Sequence, residues 1–210
     1  RRSGKAGRRH ILRHRQAQIS GGTAAPEAVD PRALAQAVER GWDEVRAYLT
    51  KQVTMEGRVA ELAGQLQAAG PAIAERIQRA SQQLDRLATP IPVHGRLELP
   101  RMLIYEGEIT FIDPASDPNT PPAERLRPRS PLTDLGSVLW SLSVAARLAA
   151  ETRSATMPPP HDRLYGWARN WAAWMGSSFL GAYRAHAGTL VPQETGAFLD
   201  ELTLQVFATG

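Results

Sequence analysis

The 210-residue chain has no cysteine, two lysines among its 25 cations, and no apolar run near the roughly eighteen residues that a membrane-spanning helix requires. The missing cysteine excludes disulfides and thiolate metal sites and fits a reducing compartment. The charged start is not followed by an apolar signal-peptide core. The expected location is therefore cytoplasmic, with no membrane partner. Phosphate-binding signatures are also lacking: there is no glycine-rich phosphate loop and no V-A-I-K-like strand. Lys5 stands in a basic first segment and Lys51 at the tail of a predicted helix, so neither is placed to pair with nucleotide phosphates. HExxH, CxxC and GxSxG are absent as well.

Acidic residues are missing from the first 26 positions, while Arg1, Arg2, Lys5, Arg8, Arg9, Arg13 and Arg15 supply seven cations there. Without those seven, 18 cations face 21 acids, a net charge of −3, so the pI near 9.9 belongs to one end of the chain. A basic arm can grip nucleic acid through phosphates. No aromatic residue is interleaved with these cations for base stacking, which favours a solvated or frayed terminus over a nucleic-acid partner. The first residue is Arg, not Met, which reads as a fragment or processed product of a longer protein.

What is present is a chain able to bury one good core, or one with a small satellite. The organisation expected is a basic segment with a loop over residues 1–29 and one domain over 30–210. Asp30-Pro31 opens a helix carrying Leu34, Val38, Trp42, Val45 and Leu49 at helical spacing. Trp42 reads as a core anchor. A second helix is expected over Met55–Ala69, ended by Gly70-Pro71, and a third follows with Ile73, Ile77, Leu84 and Leu87 on its buried stripe. Met102–Tyr105 and Ile109–Ile112 flank Glu106-Gly107-Glu108 and read as a β-hairpin. Asp113–Arg129 is an irregular proline-rich segment. Ser130-Pro131 then opens a helix with Leu132, Leu135, Val138, Leu139, Leu142 and Ala146 on one face. A long helix from about His161 to His186 carries Trp167, Trp171, Trp174 and Phe179. Spacings of three and four favour core packing for its tryptophans, with sugar stacking as the competing reading. A last amphipathic helix turns Phe198, Leu202 and Val206 inward. The fold class expected is predominantly α with a small β-hairpin.

The stretch Val93–Leu142 carries the strongest signal: a His94-Gly95 loop, the hairpin, then Asp113 directly after an apolar strand. Kinase-like folds present a catalytic loop and a metal-binding Asp in this order. Pro118, Pro121, Ala123, Glu124, Arg125, Pro128, Ser130, Pro131, Leu132, Asp134, Leu139 and Ser141 follow in frame without a gap. With them the chain resembles the maltokinases, sugar kinases often fused to trehalose synthase within the aminoglycoside phosphotransferase and protein kinase-like superfamily. That family's pattern is HGDxHLGQxL, a strand, and then DFEGEPxxPLAERRxPxSPLRDVAGMLRS. GRRHILRH at residues 7–14 resembles its GRRTAELH helix. The resemblance implies the carboxyl-terminal lobe of a protein kinase-like fold, in a setting of trehalose, maltose and glycogen metabolism.

Measured against that pattern, the reacting groups are replaced. Arg96 stands where the family has the catalytic Asp, and a guanidinium cannot accept a proton at neutral pH. Arg101 replaces the amide that would ligate metal, and it offers no lone pair. Phe-Glu after the metal Asp becomes Pro114-Ala115, with Asp117 where the family has Glu, so Asp113 is left as a vestigial metal ligand. His94 is expected to orient the loop. Asp134 matches an Asp that braces its backbone, and as a first-turn carboxylate it also suits the helix dipole. Arg96 and Arg101 are expected to pair internally with Glu98, Asp113 or Asp117 in preference to binding an anion.

The leading expectation is a degenerate, pseudokinase-like domain with a structural or partner-binding role, needing no cofactor of its own. Its implied partner is a trehalose synthase or amylase-type protein, fused or docked, and its implied ligand a maltose-like sugar. The competing reading is the carboxyl lobe of a divergent ATP-dependent sugar kinase, using ATP and Mg²⁺ in a longer form. In that case Asp113 with Glu98 or Asp117 would take over metal and base duties.

Overall fold

The computed structural model describes residues 31–52, 57–82, 88–114 and 128–209. The basic first segment with its GRRHILRH stretch, Asp30, Leu84, Leu87 and the matched positions from Pro118 to Arg125 lie outside the described residues. The described elements are helices α1 (Pro31–Gln52) and α2 (Arg58–Gln82), strands β1 (Met102–Tyr105) and β2 (Glu108–Phe111), and helices α3 (Leu132–Ser154), α4 (Asp162–Ala187) and α5 (Thr195–Thr209). Two short 3₁₀ turns, Leu99–Arg101 and Gly188–Leu190, complete them. No helix among the described residues is long and apolar enough to cross a membrane.

Helix α5 is the keel. Its Leu204 is buried with Ala35 and Val38 of α1 and Ile77 and Ala80 of α2. Its Phe198 and Leu202 are buried with Leu132 and Leu135 of α3 and with Val191. Each of the buried Val, Ile, Leu and Phe side chains contributes roughly 1.5–3 kcal/mol of burial. Gly136 is what lets α3 close on α5: a β-carbon there would stand 3.1 Å from the carbonyl carbon of Gln205 and 3.2 Å from its oxygen. Because three helices surround it, α5 buries Glu201, Leu204 and Gln205 as well as Phe198 and Leu202. The single buried stripe expected of it is therefore too narrow.

The second and third helices expected from the sequence are one helix. Pro71 lies inside α2, which runs unbroken for 25 residues. A proline inside a helix costs about 3 kcal/mol. Packing across the α1–α2 pair offsets this: Ile77 and Ala80 are buried against α1, and Gly70 faces Trp42, whose ring carbon would lie 3.5 Å from an added β-carbon. Trp42 packs against this cluster, as a core anchor should.

The hairpin pairs Met102 with Phe111, Leu103 with Thr110, Ile104 with Ile109 and Tyr105 with Glu108. Its two-residue turn has positive φ at both Glu106 (51°) and Gly107 (80°). That is the primed turn whose twist matches the strands, and glycine favours it at the second position. Leu103, Ile104, Tyr105, Ile109 and Phe111 are all exposed, so the hairpin presents apolar side chains on both faces.

Candidate functional site: a loop clamped by Asp134

Two carboxylates that the fold encloses build the site. Asp134, in the first turn of α3, accepts from the backbone N–H of His94 (2.7 Å) and of Gly95 (2.8 Å), one to each oxygen. Gly95 adopts φ 86°, a left-handed conformation that places the two successive N–H groups to converge on that carboxylate. His94 Nε2 donates to the carbonyl of Ile112 at 2.7 Å, tying the loop to the residue after β2. That carbonyl can only accept, so Nε2 carries the proton. Nδ1 is buried without a partner among the described residues. Leu99 N–H donates to Ser141 Oγ of α3 at 3.2 Å. Loop, hairpin and α3 are thus one hydrogen-bonded unit. Burial pushes the Asp134 carboxyl above its usual range, against the opposing pull of the His94 and Gly95 N–H groups.

Glu201 is the second enclosed carboxylate, with 1% of its surface exposed. It accepts from Ala88 N–H at 2.7 Å and from the hydroxyl of Ser130. Ser130 Oγ in turn accepts from Leu132 N–H at 3.1 Å, which satisfies a backbone donor at the start of α3. Burial raises the Glu201 carboxyl as well, opposed by those two hydrogen bonds. Sequence reasoning passed over this residue, although its spacing from Phe198 and Leu202 already put it on the buried face of α5.

The two arginines are engaged within the loop. Arg96 Nε donates to Glu98 Oε1 at 3.0 Å. Arg101 is largely covered; it donates to the Asp113 carbonyl at 3.2 Å and lies 3.8 Å from that residue's carboxylate. Asp113 itself has φ 52° and a side chain 67% exposed. Three described carboxylates of the loop region thus have local partners: Asp134 the backbone, Glu98 Arg96, and Asp113 Arg101. Among the described residues, no group of three or more His, Cys, Asp or Glu could hold a metal ion. The guanidinium of Arg101 thus stands beside the one Asp that the resemblance gives a metal-binding role. Asp117 lies outside the described residues.

The tryptophans of α4 depart from expectation. Trp167, Trp171 and Trp174 are 73%, 43% and 68% exposed, not packed in the core. The opposite side of α4 is the one that closes on α3: a β-carbon at Gly176 would stand 3.1 Å from Leu139.

No family model matches this chain. Solved structures do. A glucosamine kinase in complex with glucosamine, ADP and inorganic phosphate superposes with a TM-score of 0.62 at 21% identity, over 93% of this chain and 45% of that one. Two further crystal forms of glucosamine kinase give TM-scores of 0.62 and 0.60 at 22% identity, over 94% and 86% of this chain and 44% and 40% of theirs. The chain has the fold of part of a sugar kinase. It spans less than half the length of those kinases. The likeness is to that fold and does not single out the maltokinases.

Proposed function

We propose that this chain is a carboxyl-lobe module of sugar-kinase type that has exchanged phosphoryl transfer for a structural or partner-binding role. The observation that carries this reading is Arg96, in the loop position of the catalytic base and ion-paired with Glu98 at 3.0 Å. Phosphoryl transfer relies on a positioned base and on metal ions that bridge the phosphates. Here the loop backbone is held by Asp134, while its acid–base and metal-ligating positions carry guanidinium groups. The clamp outlasts the chemistry because it organises the fold. A trehalose synthase or amylase-type partner in trehalose, maltose and glycogen metabolism is the setting that the resemblance to maltokinases supports.

A second reading has one observation in its favour: the chain covers only 40–45% of the kinases it superposes on. On that reading it is the carboxyl lobe of a divergent ATP-dependent sugar kinase. The exposed apolar hairpin would then be covered by further chain, since a lone two-stranded hairpin is marginal in water.

Transfer of labelled γ-phosphate to maltose and to glucosamine separates the two. With the chain alone, and with the longest natural protein that contains it, the proposal expects no turnover above a protein-free control. Transfer by the longer protein, abolished by Asp113→Asn, would replace it with the second reading.

A further inference from the structure

Helix α4 carries an exposed face that the clamped loop does not use. Trp167, Trp171 and Trp174 follow one another at intervals of four and three, so they lie on one side of the helix and span about 10 Å along its axis. All three are exposed, and so are Arg163, Asn170 and Ser178 on the same side. Half-buried Leu164 borders this face, and among the described residues of α4 no carboxylate lies on it.

Three features narrow what it can bind. Among the described residues of α4, Arg163 is the one cation on this face, too little charge for a polyphosphate backbone, since sites that stack bases also line the strand with positive groups. The exposed indole surface is on the order of 400 Å², taking roughly 250 Å² per side chain. That is about half of the ~800 Å² that each partner buries in a standard protein interface. Flat apolar rings beside neutral donors match a ligand with apolar faces and hydroxyl edges. We infer that the Trp167–Trp171–Trp174 face is a stacking platform for a neutral oligosaccharide of two or more pyranose rings, separate from the clamped loop. The inference does not depend on whether the loop transfers phosphate.

The test is calorimetric titration of the full chain, and of Trp167→Ala, Trp174→Ala and the double variant, with maltoheptaose, cellohexaose and chitohexaose. Circular dichroism establishes that the variants are folded, and sedimentation velocity runs in parallel. Saturable binding of at least one oligosaccharide is expected. Each single substitution should weaken it about tenfold, and the double variant should abolish it. Trp42→Phe, in the α1–α2 cluster, should leave it unchanged. Absence of saturable binding to all three sugars at millimolar concentration would overturn the inference, as would binding that the double variant retains. Self-association lost in the double variant, without sugar binding, would assign the face to a second copy of the chain.

Discussion

Asp134→Ala is expected to lower the unfolding free energy by roughly 3–5 kcal/mol, from hydrogen bonds to a charged acceptor that each contribute about 1.5–3 kcal/mol. The substitution leaves the His94 and Gly95 N–H groups without their acceptor and frees the loop from α3. It also removes the side chain that joins the start of α3 to both N–H groups. Asp134→Asn should cost less, because one amide oxygen still accepts, while its NH₂ group opposes the second donor. Urea titration of the three proteins measures this order. The loss should be structural: near-ultraviolet dichroism of the native state should change with the loop.

Glu201→Ala should be comparably severe, at roughly 2–4 kcal/mol, because it strands a buried backbone donor at Ala88 and removes the partner of the Ser130 hydroxyl. Here pH supplies a second signature. Burial raises the Glu201 carboxyl above its ordinary value of 4.5, so the folded protein holds this proton more tightly than the unfolded chain does. Protonation therefore favours folding. The contribution is fully present below pH 4.5 and is lost as pH rises through the elevated folded value. Asp134 shifts in the same direction from 3.8, which gives the wild-type protein two such contributions. Glu201→Gln keeps an acceptor for Ala88 and removes the titration. Stability measured from pH 4 to pH 7 should accordingly fall less steeply in Glu201→Gln than in the wild type. Equal slopes would mean that the buried carboxylate is not titrating in this window.

Much of this architecture was legible in the sequence, and the exceptions share a cause. The hairpin follows from two β-rich runs around Glu106-Gly107-Glu108, although β2 begins one residue earlier than expected, with Glu108 paired to Tyr105. The start of α3 follows from Ser130-Pro131, and its buried face from a period that Leu132, Leu135, Val138 and Leu142 keep. Those signals are local. What failed depends on neighbours. Gly70-Pro71 has the form of a break, but Trp42 from another helix fills the notch that Gly70 leaves. Trp167, Trp171 and Trp174 have core spacing, but α4 turns its Gly176 side inward, and no spacing rule says which of two faces a helix will bury. Glu201 sits by spacing on the inner side of α5, but its near-complete enclosure depends on three helices closing around it.

In the site, the resemblance placed His94, Arg96, Arg101, Asp113 and Asp134 in one neighbourhood, and the structure brings them together. Asp134 braces the loop backbone, and the arginines pair with Glu98 and Asp113. The sequence held no trace of how firmly the loop is tied down. The Ile112 carbonyl, Ser141 and the Ser130–Glu201 pair act through geometry between segments far apart in the chain. The family resemblance was finer than the fold supports, since matching framing residues describe a shared scaffold more readily than a shared substrate.

Binding of Mg²⁺-ATP by isothermal titration calorimetry, on the full chain and on the longest natural protein containing it, tests the central claim most directly. A loop whose base position is Arg96 and whose single metal-type Asp faces Arg101 predicts no saturable heat at millimolar nucleotide in either protein. Saturable Mg²⁺-dependent binding that Asp113→Asn removes would contradict it, and would restore the loop as a working phosphoryl-transfer site.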